Sequence, residues 1–261
     1  MFKKRLVGVI TVKDGWAVQS FGYNSYLPLG KPECLAENLN RWGADEILVL
    51  CIDRRRSGHG PDFELLRRLS RLGLATPLIY GGGIGSVEDG ITVIQAGADR
   101  ICLDGLLRDD MESVLGLSER LGAQALIAAL PLSEKNRTLK WLDYRHGSSG
   151  PLSDSVLDAL KTGVISETLL IDWQHEGVPQ GFDVELIKRF PMDGVPLIAF
   201  GGLSDPDQIG RVLSLPQVVA VAVGNFLSYR EHAIQTIKEK LAGLPLRAPA
   251  YDATCSMLPY V

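Results

Sequence analysis

Apolar residues fall in short runs rich in β-branched side chains: RLVGVITV (5–12), EILVLCI (46–52), TPLIYG (76–81), RICLD (100–104), AQALIAAL (123–130), SETLLID (166–172), VPLIAF (195–200) and QVVAVAV (217–223). Between them lie amphipathic stretches with helical spacing, among them PDFELLRRLSRLG (61–73), MESVLGLSERLG (111–122) and DVELIKRF (183–190). Strands that alternate with helices imply βαβ units and a parallel sheet. A closed (β/α)8 barrel, the TIM barrel, takes about 250 residues, and this chain has 261. An open doubly wound sheet is the alternative; the regular strand–helix units and the lack of a GxGxxG fingerprint count against it.

An internal repeat supports the barrel. PLIYGGGIGSVEDGITVIQAGADRICLDG (77–105) is echoed by PLIAFGGLSDPDQIGRVLSLPQVVAVAVGN (196–225), and DEILVLCID by SETLLID. The chain therefore reads as two similar half-barrels. No linker or composition shift divides it, so one domain over about 1–242 is expected, with a tail at 243–261. EKNRTLKWLDYRHGSSGP (134–151) reads as a long loop after strand five, with room for its own hairpin.

The echoed glycines carry the first candidate chemistry. Strand C-termini form the active face of such a barrel. Glycine lets backbone N–H groups approach a ligand, and the following helix offers its positive end. Gly82–Gly83 and Gly201–Gly202 are therefore candidate phosphate grips, one per half. Asp104–Gly105 and Gly224–Asn225, at the ends of the next strands, would complete the cradles. Tight turns without a ligand are the alternative.

Composition narrows the partners. A net charge of −4 argues against a nucleic-acid surface, and Arg54, Arg55 and Arg56 read as a solvated loop. Cys34, Cys51, Cys102 and Cys255 show no CxxC spacing, and Cys51 and Cys102 sit in apolar runs; this suits reduced thiols in a cytoplasmic protein. MFKKRLVGVITV reads as a first strand, not a signal peptide. No apolar segment is long enough to span a membrane. His59, His146, His175 and His232 lack metal-ligand spacing, so no metal and no cofactor are expected.

KRLVGVITVKDG, GADEILVLCID, PLIYGGGIGSVED, AGADRI, HEGVPQGFD and PLIAFGG together resemble the HisF-type cyclase subunit of imidazole glycerol phosphate synthase, over roughly residues 3–240. The resemblance implies a (β/α)8 barrel. It also implies a glutaminase partner at the N-terminal face, and ammonia passing through the barrel to a phosphorylated small molecule at the C-terminal face. It adds Gly177, in HEG, to the phosphate-binding set. It implies an ammonia gate at Arg5, Glu46, Arg100 and Glu167, and it places Asp99, the Asp of AGAD, against the glutaminase.

The departures fall on the acids. The family's Asp at the end of strand one is here Thr11. Its second catalytic Asp, on strand five, falls at or beside Leu130. Cys51 replaces an Asp ending strand two, and Gln19 replaces a loop Lys. Where the family carries Asn-Thr, this chain has Asp104 and Gly105, and a carboxylate beside phosphate is repulsive unless paired. Proton transfer needs a titrating group at the reacting atom, and Thr11 and Leu130 supply none. Asp53, Asp172 and Glu176 are the candidates for relocated acids, with salt bridges and helix caps as their plainer roles. GHGPDFELL, YGGGI and AVGNF resemble a second-copy branch of the family, which works beside a glutaminase and a sugar amidotransferase to make amidino sugars of surface polysaccharides. The alternatives are an orthodox cyclase of histidine biosynthesis, a lyase, and a non-catalytic phosphosugar-binding barrel.

Overall fold

The computed structural model describes residues 3–54, 58–229 and 232–249. Arg55 and Arg56 of the basic run, Cys255 and the rest of the tail from residue 250 lie outside the described residues.

Eight parallel strands close into a barrel. In chain order they are β1 (Arg5–Lys13), β4 (Glu46–Cys51), β5 (Leu78–Gly81), β6 (Arg100–Leu103), β7 (Leu126–Lys135), β10 (Glu167–Asp172), β11 (Leu197–Phe200) and β12 (Val218–Val223). Each pairs in parallel with the next, β1 with β12, and β7 with β10, so the ring has no edge. Seven helices alternate with the strands outside it: α1 (Pro32–Arg41), α2 (Phe63–Ser70), α3 (Val87–Gln95), α5 (Met111–Leu121), α6 (Asp154–Lys161), α7 (Glu185–Lys188) and α8 (Pro206–Leu213). The short α4 (Gly105–Asp109) follows β6, and α9 (Ala233–Lys240) ends the barrel.

Closure separates two cores. Side chains alternate across each strand, so Val7, Val9, Leu48, Leu50, Ile79, Cys102, Ile127, Leu169 and Ile171 pack into the barrel interior. Their neighbours Leu6, Ile10, Ile47, Val49, Tyr80, Ile101, Leu130 and Leu170 face the helices. Polar side chains cap several helix starts. Asp62 accepts a hydrogen bond from Leu65 N at the start of α2, Ser86 one from Asp89 N at α3, and Asp205 those of Asp207 N and Gln208 N at α8.

The half-barrel repeat extends to two antiparallel hairpins at matching places. The first strand of one half, β1, continues into β2 (Trp16–Phe21) and β3 (Ser25–Gly30). The first strand of the other half, β7, runs on into β8 (Thr138–Asp143) and β9 (Ser148–Gly150). The stretch 134–151 thus forms the hairpin for which its sequence has room. Residues 16–30 correct the reading of a loop: Gln19 is buried in β2, facing Leu27 across the ladder. The start of the tail also has a place, since Leu246 bridges to Lys4 and Lys4 N donates to Pro245 O at 2.8 Å.

A buried ion pair fastens the last helix to the barrel. Lys238 Nζ donates to Asp45 Oδ1 at 2.8 Å and to Gly43 O at 2.9 Å, and both side chains are almost wholly buried. Asp45 Oδ2 accepts from Leu6 N at 2.8 Å, which joins β1 to the turn before β4. Lys238→Met leaves the buried Asp45 with its bond from Leu6 N and, among the described residues, the exposed Arg247 at 4.0 Å as its remaining cation. The expected loss is about 3 kcal/mol, read by urea unfolding, and Asp45→Asn in the same chain should restore part of it. An unchanged midpoint would remove this pair from the forces that hold the fold.

Candidate functional site

The four candidate gate residues meet at the strand starts. Arg5 Nη1 donates to both Glu46 oxygens at 3.0 Å, and Arg5 Nη2 to Glu167 Oε1 at 2.8 Å. Arg100 Nη1 donates to Glu167 Oε2 at 2.8 Å and stands 3.6 Å from Glu46. Each residue lies two positions before an interior apolar one: Val7, Leu48, Cys102 and Leu169. The ring therefore closes the bottom of the interior. Burial raises the Glu46 pKa despite Arg5 and Arg100. The Glu167 pKa is lowered, because its short bonds to both arginines outweigh burial. The two carboxylates differ because Glu167 accepts hydrogen bonds from both arginines, whereas Glu46 accepts only from Arg5 and stands 3.6 Å from Arg100. Asp99, beside the ring, is exposed and accepts from Leu78 N at 2.7 Å. This bond repeats the Asp45–Leu6 bond one strand pair away.

At the other end, the glycine turns are close backbone contacts. A Cβ on Gly82 would sit 2.3 Å from Cys51 O, and one on Gly201 2.4 Å from Asp172 O. Both have positive φ, as do Gly83, Gly202 and Gly177. Each half thus presses its glycine turn onto the end of the neighbouring strand, so the glycines have a structural reason that needs no ligand. Gly224 is different: its nearest neighbours are at 3.6 Å, at ordinary contact.

Two cavities open above these turns. The first, of about 150 Å³, is lined by Gly82, Gly83, Asp104, Gly105 and Cys51, together with Tyr23, Tyr26 and Tyr144. The second, of about 80 Å³, is lined by Glu176, Gly177, Gly201, Gly202, Gly224 and Asn225. Each cradle therefore contains a carboxyl group, and among the described residues no Lys or Arg lines either one. Burial pushes Asp104 up to about 7, against the pull of Arg108 and a hydrogen bond from Tyr144. Burial also pushes Glu176 up to about 7.

Glu176 and Asn225 are both engaged with the β2–β3 hairpin. Glu176 Oε2 accepts from Ser20 Oγ at 3.0 Å and from Tyr23 N at 3.3 Å. Asn225 Oδ1 accepts from Ser20 N at 3.1 Å, and its Nδ2 donates to Ser20 O at 2.6 Å. The hairpin tip is thereby latched over the mouth, with Tyr23 packed on the interior cluster. The Tyr23 hydroxyl is buried and has no hydrogen-bond partner among the described residues. Sequence reading missed this roof; AVQSF and YLPL on either side of GYNS are its hairpin signal.

The other acids are placed as follows. Thr11 is buried and continues the inward series Arg5, Val7, Val9. Leu130 points outward into the helix-facing core, which corrects its choice as the strand-five site position. Its neighbours Ala129 and Pro131 line the first cavity instead, and neither titrates. Asp172 is buried and tied to His175 Nδ1 and Asp183 N, both at 2.8 Å, so it organises the loop after β10. Asp53 accepts from Asp14 N at 2.8 Å on the rim, near His59 in a third cavity. His146 bonds Asp143 at 3.0 Å on the surface, and His232 is exposed ahead of α9. Among the described residues, no cluster of His, Cys, Asp and Glu suits a metal ion, and no helix is long and apolar enough to cross a membrane.

The family model described as "Histidine biosynthesis protein" matches residues 5–233. The chain belongs to that family. It is 30% identical to imidazole glycerol phosphate synthase subunit HisF of Anoxybacillus flavithermus, over 92% of this chain and 96% of that one. It is 28% identical to the HisF subunit of Staphylococcus saprophyticus, over 95% and 100%. A Vibrio vulnificus protein named for the same synthase as subunit hisF2 is 28% identical, over 94% and 91%. Within its family the chain is thus a divergent member of HisF type.

The glycine contacts make a contrast that is independent of any ligand. Gly82→Ala should lower stability by more than about 2 kcal/mol, from strain at positive φ and the clash with Cys51 O. Gly224→Ala should stay within about 1 kcal/mol. Thermal unfolding of both variants reads this, and similar losses would refute the backbone-contact explanation.

Proposed function

We propose that this barrel is the synthase-side subunit of a glutamine amidotransferase. It takes ammonia from a glutaminase docked over the strand starts, passes it through the interior, and serves the amination of a sugar in surface-polysaccharide synthesis with a sugar amidotransferase. The observation that carries this reading is the assembled ring of Arg5, Glu46, Arg100 and Glu167 beneath an apolar interior, opposite a mouth with no carboxylate at Thr11, Ala129 or Pro131. Neutral ammonia can cross such an interior, whereas ammonium would lose its hydration there at great cost. The relatives are named as subunits of a synthase, which supports a partner, and exposed Asp99 stands beside the ring to meet one. A phosphorylated acceptor fits the second cradle better, where the Glu176 and Asn225 side chains are already bonded to the hairpin. An orthodox cyclase with relocated acids is the second reading, favoured by Asp104 and Glu176, both pushed up to about 7.

Turnover separates the two readings. Given ammonium and the bisphosphate substrate of a histidine-pathway cyclase, the purified protein should react at least about 10²-fold more slowly than that cyclase. A rate within about tenfold would establish the second reading.

The ring has its own test. Arg5→Ala leaves Glu46 and Glu167 with only Arg100, while the rest of the barrel core is untouched. With the glutaminase complex confirmed, less of the labelled amide nitrogen released from glutamine should reach the acceptor, while added ammonium still serves. An unchanged ratio of glutamate released to product formed would reduce the ring to a structural ion-pair cluster.

A further inference from the structure

The cavity under the hairpin has a composition unlike a phosphate site. Its carboxyl, Asp104, follows the end of β6 and leads into α4, two positions after the inward-facing Cys102, and lines the cavity. The aromatic rings of Tyr23, Tyr26 and Tyr144 line it, and the buried Tyr23 hydroxyl lacks a partner among the described residues. The nearest cations, Arg108 and Arg145, pull on the Asp104 carboxyl through space, but their hydrogen bonds go to other groups. Arg108 stacks on the Trp141 ring at 3.3 Å and donates to Leu142 O at 2.8 Å. Arg145 is held by Asp109 at 2.6 Å and by Asp143 at 3.1 Å. A cavity of about 150 Å³ is the size that admits a single six-membered ring.

We propose that this cavity is a subsite for a small ring bearing a protonated amine, held by the Asp104 carboxyl and the Tyr23 hydroxyl, and not for phosphate. A carboxylate among aromatic faces attracts a cation twice, by charge and through the ring quadrupoles. The same carboxylate repels a phosphate. The groups around Asp104 are Tyr23 from the hairpin, Cys102 on β6, Arg108 on α4, and Asp143, Tyr144 and Arg145 at the end of β8. Burial keeps Tyr23 and Cys102 protonated, their pKa values raised; Asp104, pushed up to about 7, changes charge near neutrality, as does Glu176, which holds Tyr23 N at 3.3 Å from the second cradle and is also pushed up to about 7. Amine binding should therefore strengthen as the pH rises through that range. The inference rests on the proposed function only in taking this mouth as the acceptor's place.

The test uses the full chain alone, without glutaminase or ammonia, so its failure leaves the transfer reading standing. Cyclohexylammonium, cyclohexanol and inorganic phosphate are titrated by calorimetry at pH about 8 and about 5.5, on either side of the Asp104 transition. At the higher pH the amine should bind at least about tenfold more tightly than the alcohol, and the advantage should shrink at the lower pH. Asp104→Asn, nearly the same shape, should erase it. Tyr23→Phe, which keeps the packing, should weaken the amine more than the alcohol. A crystal soaked in the amine should show the nitrogen against Asp104. Equal binding of amine and alcohol, no binding of either, or phosphate bound against Asp104 would each overturn the proposal.

Discussion

Eight parallel strands closed into a ring force every second side chain into one narrow interior, where groups from distant parts of the chain must agree in size and charge. At the strand starts four of those positions are charged. Arg5 and Arg100 alternate in contact with Glu46 and Glu167, because an unpaired charge there would stand in a poorly hydrated mouth. Immediately above, the interior is apolar. The end that has charge is thus the end at which the charges can pair, and the middle is left to groups that do not hold a hydration shell.

The opposite mouth is built by the main chain more than by side chains. Gly82 and Gly201 press on the carbonyls of Cys51 and Asp172, one contact in each half. The β2–β3 hairpin then folds over the opening and is latched by Glu176 and Asn225. The roof withdraws carboxyl groups from water, which is why Asp104 and Glu176 hold protons near neutrality.

Much of this was legible in the chain itself. The eight apolar runs and the echo of PLIYGGG in PLIAFGG follow from local spacing, and local spacing survives folding. Strand ends shifted by a few residues, as at β7, which runs to Lys135, since pairing with β8 extends it beyond its apolar run. The hairpin at 16–30 was less visible, because its polar positions Gln19 and Ser20 are buried by contacts made far along the chain. Leu130 shows the limit of motif matching: a shift of one residue turns a side chain from the cavity to the helices.

The sequence by itself determined the barrel, its two halves and the glycine turns, because these depend on periodicity and on backbone freedom at single positions; the charged residues of the ring were legible only through the family resemblance. Only the tertiary structure decided which side chains share a space. It brought Asp104 under Tyr23, tied Glu176 to Ser20, turned Leu130 outward and joined Lys238 to Asp45. Those pairings span up to two hundred residues of chain, and burial, which sets their charge and energy, exists only once the ring has closed.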